Sequence, residues 1–163
     1  MRVAVIADTH MPRGGRRLPP ACLDHLRGAD IVLHAGDLTG AVFLDELERP
    51  GRPVHAVSGN ADEAAVRDRL PERLVVELET SRIGLVHDPG PLRGREERLI
   101  AWFPACDAVV FGHTHLPQVE RRRRVWLLNP GSPTERRRSP ARSMLLLELG
   151  KNGVRPELVE LVP

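Results

Sequence analysis

Apolar runs alternate with segments of helical spacing along the first third of the chain. Three runs, each ending in polar residues, cover residues 2–8, 30–37 and 53–60. Between them, residues 19–28 have proline at the front and glycine at the end, which suits a short helix, and residues 40–49 are amphipathic at helical spacing. Strands that alternate with helices in this way predict a largely parallel α/β sheet.

The remaining pattern predicts three hairpins, one helix and one more buried strand. The hairpins cover residues 72–88 with a turn near 79–82, residues 118–132 with a turn among arginines, and residues 143–162 with a turn at GKNG. Residues 94–104 predict the helix and residues 106–113 the strand. The pattern shows no repeat and no linker, so we expect one α/β domain over residues 1–163, with mostly parallel strands first and antiparallel hairpins later.

Length and composition favour a single cytoplasmic domain. A chain of 163 residues buries about 68–70% of its unfolded surface, which supports a core without disulfides. The two cysteines, Cys22 and Cys106, form no framework, as is typical of a reducing compartment. The chain has no apolar run of membrane-spanning length, and its first residues become polar too early for a signal peptide. A net charge of +2 indicates no particular partner.

Polar side chains that bind metals well follow five of the predicted strands, at the point where each strand ends. In chain order they are Asp8 and His10, Asp37, Asn60, His87, and then His113 with His115. In open α/β sheets, sites form outside the carboxyl ends of the strands. We therefore expect these seven side chains to meet in one crevice.

Three oxygen ligands and four imidazoles are too many for one ion, but they suit two ions that share a carboxylate. Two ions about 3.5–4 Å apart can clamp a phosphoryl group and activate a water between them. Because no thiolate is among the candidates, the donor set favours Mn, Fe, Co, Ni or Zn over calcium or a cysteine-based zinc site.

Each element taken alone has a simpler explanation. A DxH after a strand is more often a helix N-cap beside a surface histidine, and GD and GN are common in turns. A lone histidine such as His87 is more often a hydrogen-bonded structural residue. GHTH alone is evenly balanced between a metal site and a chance match. The ordered series, with every member at a strand end, is what argues against coincidence.

The motifs ADTH, HAGD, SGNAD, LVHD and FGHTH, followed by LNPGS, resemble those of the calcineurin-like metallophosphoesterase superfamily. The resemblance covers nearly the whole chain and is strongest to the small phosphodiesterases of bacteria and archaea. It implies a four-layer α/β/β/α sandwich, in which two packed mixed β-sheets are flanked by helices and carry a dinuclear site at the sheet edge.

The resemblance also implies a role for each ligand. One ion would be held by Asp8, His10, Asp37 and His115, and the other by Asp37, Asn60, His87 and His113, with Asp37 bridging. Asp37, Asn60 and His10 would serve catalysis directly. The implied reaction is hydrolysis of a phosphodiester by a hydroxide activated between two divalent ions, without a covalent phosphoenzyme.

Two positions depart from the larger phosphatases of the superfamily. Those enzymes read GNH after the third strand, where this chain reads GNAD, so Ala61 replaces a histidine that helps protonate the leaving group. Asp62 is the nearby acidic residue; it would either contact the substrate or cap a loop or helix. Asp88 follows His87 where the family often has glycine, and its charge would repel an anionic substrate or tune the second ion.

Several other polar residues lie near these motifs. Asn129 and Ser132 in LNPGS are expected to shape or support the site, and the basic loop after ADTH offers Arg13, Arg16 or Arg17 to a substrate phosphate. His25 is predicted near the surface of a helix. His34 and His55 are predicted to lie in the core or to hydrogen-bond to ligands.

The arginine runs at 121–124 and 136–138 raise the question of nucleic acid. They have no interleaved aromatic residues, and one lies in a predicted hairpin turn, so a solvated surface is favoured over nucleic-acid binding. A phosphomonoesterase or nuclease on the same site remains an alternative, as does a non-catalytic scaffold like the retromer subunit that resembles this fold. All seven ligand positions are filled, which argues against the scaffold. Self-association into a homo-oligomer stays open.

Overall fold

The computed structural model describes residues 1–49 and 51–162. Its strands are β1 (Arg2–Ile6), β2 (Ile31–His34), β3 (Val54–Ala56), β4 (Arg73–Leu78), β5 (Ser81–Val86), β6 (Ala108–Phe111), β7 (Gln118–Arg122), β8 (Val125–Asn129), β9 (Arg142–Gly150) and β10 (Gly153–Leu161). Its α-helices are α1 (Pro20–Arg27), α2 (Ala41–Glu48), α3 (Ala64–Arg67) and α4 (Arg95–Trp102), and a short 3-10 turn lies at Arg13–Gly15.

The strands form two mixed sheets of five. The first has the order β10-β9-β1-β2-β3, in which β1, β2 and β3 are parallel and the hairpin β9–β10 is antiparallel to β1. The second has the order β4-β5-β6-β8-β7, in which β5, β6 and β8 are parallel and each edge strand is antiparallel to its neighbour. The parallel strands at the centre of each sheet bring their carboxyl ends to one edge.

Strand β1 shows why its sequence forms a strand. Val3 to Ile6 are all fully buried, because β9 and β2 flank the strand and both faces of its sheet are covered. A short continuous apolar run is typical of a strand buried on both faces. On helix α2, Phe43, Leu44 and Leu47 are buried on the face toward the sheet, while the acidic residues between them are exposed.

The buried apolar residues form three clusters, one between the two sheets and one on the outer face of each sheet. Apolar residues of both sheets pack together in the middle, including Val5 and Leu33 of the first sheet and Leu85 and Val110 of the second. Leu26 and Leu44 cover the outer face of the first sheet, and Leu99 and Phe103 cover that of the second. Helices therefore lie outside two packed sheets, and the predicted four-layer α/β/β/α architecture is confirmed.

The predicted elements occur with small shifts at their ends, and the three hairpins turn at 79–80, 123–124 and 151–152. Several features were not predicted, among them the short helix α3. The C-terminal hairpin returns to the first sheet, beside β1, and three strands of the second half are parallel to one another. Local patterns predict strands, but the pairing of distant strands depends on the packing of the whole chain. In the described part of the chain, no helix has the length and apolar character needed to span a membrane.

Candidate metal centre

The seven predicted ligands meet at the edge where the central strands of both sheets end. Four of them form what we call the buried cluster: Asp8, His10, Asp37 and His115. Nε2 of His115 lies 3.3 Å from Nε2 of His10 and 3.3 Å from Oδ1 of Asp8. Nε2 of His10 lies 3.7 Å from Oδ2 of Asp37. All four residues are at most 5% exposed.

The other group, which we call the open cluster, comprises Asp37, Asn60, His87 and His113. Nε2 of His87 lies 3.3 Å from Oδ2 of Asp37 and 3.1 Å from Oδ1 of Asn60. Nδ1 of His113 lies 3.0 Å from the same amide oxygen. Asp37 therefore belongs to both clusters. Asp8 also lies within 4.8 Å of the ligand atoms of Asp37 and His87, so both carboxylates stand between the two groups.

These separations fit divalent ions. Metal–ligand bonds of about 2.0–2.2 Å place neighbouring ligand atoms about 2.8–3.6 Å apart in octahedral or tetrahedral geometry. Five of the six distances within the clusters are 3.0–3.3 Å, and the sixth is 3.7 Å. Imidazole and carboxylate ligands without thiolates match the predicted group of transition metals.

The hydrogen bonds of two histidines support this fit. Nδ1 of His87 donates to the carbonyl of Ala35 at 2.8 Å, and Nδ1 of His115 donates to the carbonyl of Glu135 at 3.3 Å. In a neutral ring this places the lone pair on Nε2, which faces the site. A lone pair in that position can bind a cation.

The backbone is strained at the same places. Five of the seven predicted ligands have positive φ: Asp8, His10, Asp37, His113 and His115. Residues other than glycine rarely adopt a positive φ, and those that do are concentrated at functional sites. Sharp turns at the strand ends therefore point consecutive polar side chains into the crevice.

The glycines of the GD and GN motifs leave room for ligands from other loops. A Cβ at Gly36 would lie 2.7 Å from the His87 ring, and a Cβ at Gly59 would collide with the carboxylate of Asp37. These glycines are thus required by close approach within the site as well as by the turn itself.

The electrostatics favour an ionised carboxylate beside imidazole. Burial opposes ionisation of Asp37, but the hydrogen bond and charge of His87 and the amide of Ala61 outweigh it and lower its pKa to about 2. Burial lowers the pKa of His10, against the opposing pull of Asp37. Burial acts in the same sense on His87, yet its hydrogen bond to Asp37 and the charge of Asp8 prevail and raise its pKa.

A polar network supports the buried cluster from below. The Ser132 hydroxyl donates to the carbonyl of Asp8 at 2.8 Å and accepts from the amide of Glu135 at 3.0 Å. The Thr134 hydroxyl donates to the carbonyl of Thr9 at 2.9 Å. These bonds tie the segment after β8 to the loop after β1, which confirms the supporting role predicted for Ser132. Sequence reasoning missed Thr134, because nothing in the sequence pattern indicates that its hydroxyl bonds to the carbonyl of Thr9.

His34 is a fully buried histidine beneath the site. Its Nε2 lies 3.0 Å from the hydroxyl of Thr9, its ring packs edge-on against Phe43, and burial lowers its pKa to about 3. This confirms its predicted place in the core next to the ligands. His55 on β3 and His25 on α1 are half-buried.

The hydrogen bonds of Asp62 and Asn129 match the structural alternative given for Asp62 and the supporting role expected of Asn129. Both carboxylate oxygens of Asp62 accept backbone amides, from Thr39 at 2.6 Å and Gly59 at 2.7 Å, so Asp62 ties the loop after β2 to the loop after β3. Asn129 is fully buried; its amide donates to Gly112 and Thr114 and accepts from Gly131. Their polar atoms are already bonded inside the protein, so we assign both residues to support of the site loops.

The arginines of the basic loop after β1 line two different cavities. Arg13 and Arg16 line a cavity of about 170 Å³ over the ligands, together with His10, Asp37, Asn60 and His113. Arg17 instead lines a separate cavity between α1 and α2. Contact between Arg13 or Arg16 and a substrate stays a prediction, and Arg17 is the one of the three that lines the other cavity.

Sequence reasoning missed two further residues of this cavity, Glu135 and Arg137. Arg137 belongs to an arginine run that was interpreted as solvated surface; its side chain is 49% exposed, as expected, and it also lines this cavity. Asp88 lines a second cavity of about 360 Å³, together with Asn60 and His87, and its carboxylate accepts the amide of Gly90 at 2.8 Å. The run at 121–124 is exposed around the β7–β8 turn, as expected.

Comparison with known proteins agrees with this fold and site. The family profile of the calcineurin-like phosphoesterase superfamily domain matches residues 1–152. A relative named probable metallophosphoesterase, from Methanothermobacter thermautotrophicus, is 37% identical over 148 residues, which is 90% of this chain and 85% of the relative. The chain therefore belongs to the calcineurin-like phosphoesterase superfamily.

Solved structures show the same architecture. Wild-type Vps29 of Entamoeba histolytica, solved in complex with Zn²⁺, superimposes with a TM-score of 0.77 and 29% identity over 99% of this chain and all of that one. A structure described as a novel archaeal phosphodiesterase has a TM-score of 0.73 over 98% of this chain and all of that one. At 20% identity, the second likeness shows the fold alone.

Proposed function

We propose that this phosphoesterase is a metal-dependent phosphodiesterase that binds two divalent ions in the buried and open clusters, with Asp37 shared between them. The observation that carries the proposal is the pair of clusters, whose donor atoms lie 3.0–3.7 Å apart and meet at one carboxylate. When bound, such ions polarise phosphoryl oxygens and lower the pKa of water.

The chain's own residues set up this chemistry. Asp37, with its pKa of about 2, keeps its negative charge between the clusters at any working pH. His10, whose pKa is lowered by burial, presents a neutral nitrogen. Asn60 turns its amide oxygen toward His87 and His113, which leaves its NH₂ group to donate to a phosphoryl oxygen.

The serine beside the buried cluster and both cysteines are committed elsewhere. The Ser132 hydroxyl is buried and donates to the carbonyl of Asp8. Cys22 and Cys106 are buried in hydrophobic clusters, and burial raises the pKa of the Cys22 thiol to about 12. Direct attack of water on phosphorus is therefore the reaction that the site supports.

Two cavities favour a diester over a monoester. The cavity lined by Arg13 and Arg16 and the cavity lined by Asp88 share one wall residue, Asn60. A phosphoryl group held at Asn60 has space on both sides, as a diester with two substituents requires. Ala61 at the position of the family's proton-donating histidine is consistent with a site that relies on a good leaving group.

The test is hydrolysis of bis(p-nitrophenyl) phosphate by protein stripped with a chelator, after separate addition of Mn, Ni, Co, Zn and Mg. We expect turnover to return with a transition metal, to exceed turnover of p-nitrophenyl phosphate, and to be absent in Asp37→Asn. Preference for the monoester would replace the proposal with a phosphomonoesterase. Absence of turnover in protein that still binds two ions would indicate a scaffold.

A further inference from the structure

The cavity over the metal centre adjoins a larger one. Glu135 and Arg137 line both the 170 Å³ cavity and a neighbouring cavity of about 790 Å³. The larger cavity is walled by residues 134–142 and by the end of β10, near Leu161. A substrate arm that leaves the phosphoryl group on this side therefore passes Arg137.

The walls of these two cavities concentrate positive charge. Apart from the ligand Asp37, they carry five arginines and only two carboxylates, those of Glu135 and Glu160. The chain as a whole has a net charge of only +2, so this excess is local. Guanidinium groups match the geometry of phosphate oxygens and bind them with charge-assisted hydrogen bonds.

Glu135 holds two of these arginines in place. Its Oε2 lies 3.5 Å from Nη2 of Arg16, and its Oε1 lies 3.7 Å from Nε of Arg137. These separations are long for hydrogen bonds. Nη1 of Arg16 donates to the carbonyl of Arg13 at 2.9 Å, so the other donors of Arg16 and those of Arg137 are the ones that can turn toward a ligand. The backbone of Glu135 is itself fixed by Ser132 and His115, which connects this basic edge directly to the buried cluster.

We propose that the preferred substrate is a phosphodiester that carries a second phosphate on one arm, and that Arg137 with Arg16 binds this second phosphate at the junction of the two cavities. The inference rests on the proposed function and specifies its substrate class. A diester with neutral arms leaves these two guanidinium groups with the single carboxylate of Glu135 to share.

The test compares two chromogenic substrates with the same scissile bond. One is the p-nitrophenyl ester of thymidine 5′-phosphate, and the other is the same compound with an added 3′-phosphate. In the metal-loaded protein we expect kcat/KM to be about tenfold or more higher for the second compound, mainly through KM. In Arg137→Ala this ratio falls toward one, whereas Arg124→Ala, at an exposed turn arginine, keeps it.

Calorimetric binding of thymidine 3′,5′-bisphosphate and thymidine 5′-monophosphate provides a readout without turnover. We expect the bisphosphate to bind more tightly and Arg137→Ala to remove most of the difference. Equal kcat/KM or equal affinity for the two members of a pair overturns the inference, and so does an Arg137→Ala effect of the same factor on both. Failure to hydrolyse either substrate overturns the proposed function, and the binding comparison then decides the inference alone.

Discussion

The buried and open clusters share a carboxylate but differ in their surroundings. In the buried cluster every ligand is at most 5% exposed, whereas Asn60 and His113 of the open cluster are exposed. Ser132, Thr134 and the carbonyl of Glu135 support the buried cluster through bonds to its residues or to the loop that carries them. The difference teaches that one half of the site is part of the folded core, while the other half faces the space in which a substrate would bind.

Loss of the shared carboxylate should have the largest effect. In Asp37→Asn we expect both clusters to lose affinity for metal and diester hydrolysis to fall by at least about 100-fold, because removal of even an outer partner of a ligand costs 10–100-fold. Metal content after gel filtration and the rate with bis(p-nitrophenyl) phosphate measure these effects. Retention of one tightly bound ion would show that Asp37 serves a single cluster.

Gly59→Ala tests the close approach between loops. The added methyl group collides with the carboxylate of Asp37, so we expect a loss of stability of about 1–3 kcal/mol together with weaker binding of metal in both clusters. Gly150→Ala, where the methyl group meets open space, is the matched control. Urea denaturation of the metal-free proteins measures stability, and unchanged stability and metal affinity would show that the loops yield easily.

His115→Ala and His113→Ala contrast the clusters directly. We expect His115→Ala to destabilise even the metal-free protein by about 1–3 kcal/mol, because a buried ring is lost and the half-buried carbonyl of Glu135 loses its donor. His113→Ala removes an exposed ring, so its loss should appear only in metal binding and turnover. Thermal melts with and without metal distinguish the effects of the two ligand substitutions. The control His25→Ala should match the wild type in stability, metal binding and turnover. Equal destabilisation by the two ligand substitutions would contradict the comparison.

Ser132→Ala should weaken one cluster selectively. Without its hydroxyl the carbonyl of Asp8 and the amide of Glu135 lose a partner, and we expect metal affinity of the buried cluster to fall by about 10–100-fold. Thr80→Ala, which removes an exposed hydroxyl at the β4–β5 turn, is the control. Metal titration calorimetry should show one of two binding events weakened and the other unchanged, and equal weakening of both events would contradict this selectivity.

Much of the fold and the convergence of the ligands could be predicted from sequence. Apolar runs ending in Asp, Asn or His mark strand ends, and parallel strands bring those ends together. Asp62 and Asn129 show the limit. A polar residue within the site motifs gives the same sequence signal whether it faces the crevice or the backbone of another loop, as both of these do.

The residues that were missed share a physical cause. Thr134, Glu135 and Arg137 lie far along the chain from Asp8 and His10, and their position depends on β9 pairing beside β1. That pairing has no local signature. In an arginine-rich chain, a guanidinium at the site looks like any other in the sequence, and only the fold distinguishes Arg137 from Arg124.

The most direct test of the central claim is anomalous diffraction from crystals of the protein loaded with manganese. The account predicts two anomalous peaks about 3.5–4 Å apart, with Asp37 between them and with Asp8, His10 and His115 on one side and Asn60, His87 and His113 on the other. A single peak, or two peaks of which Asp37 contacts only one, would contradict it.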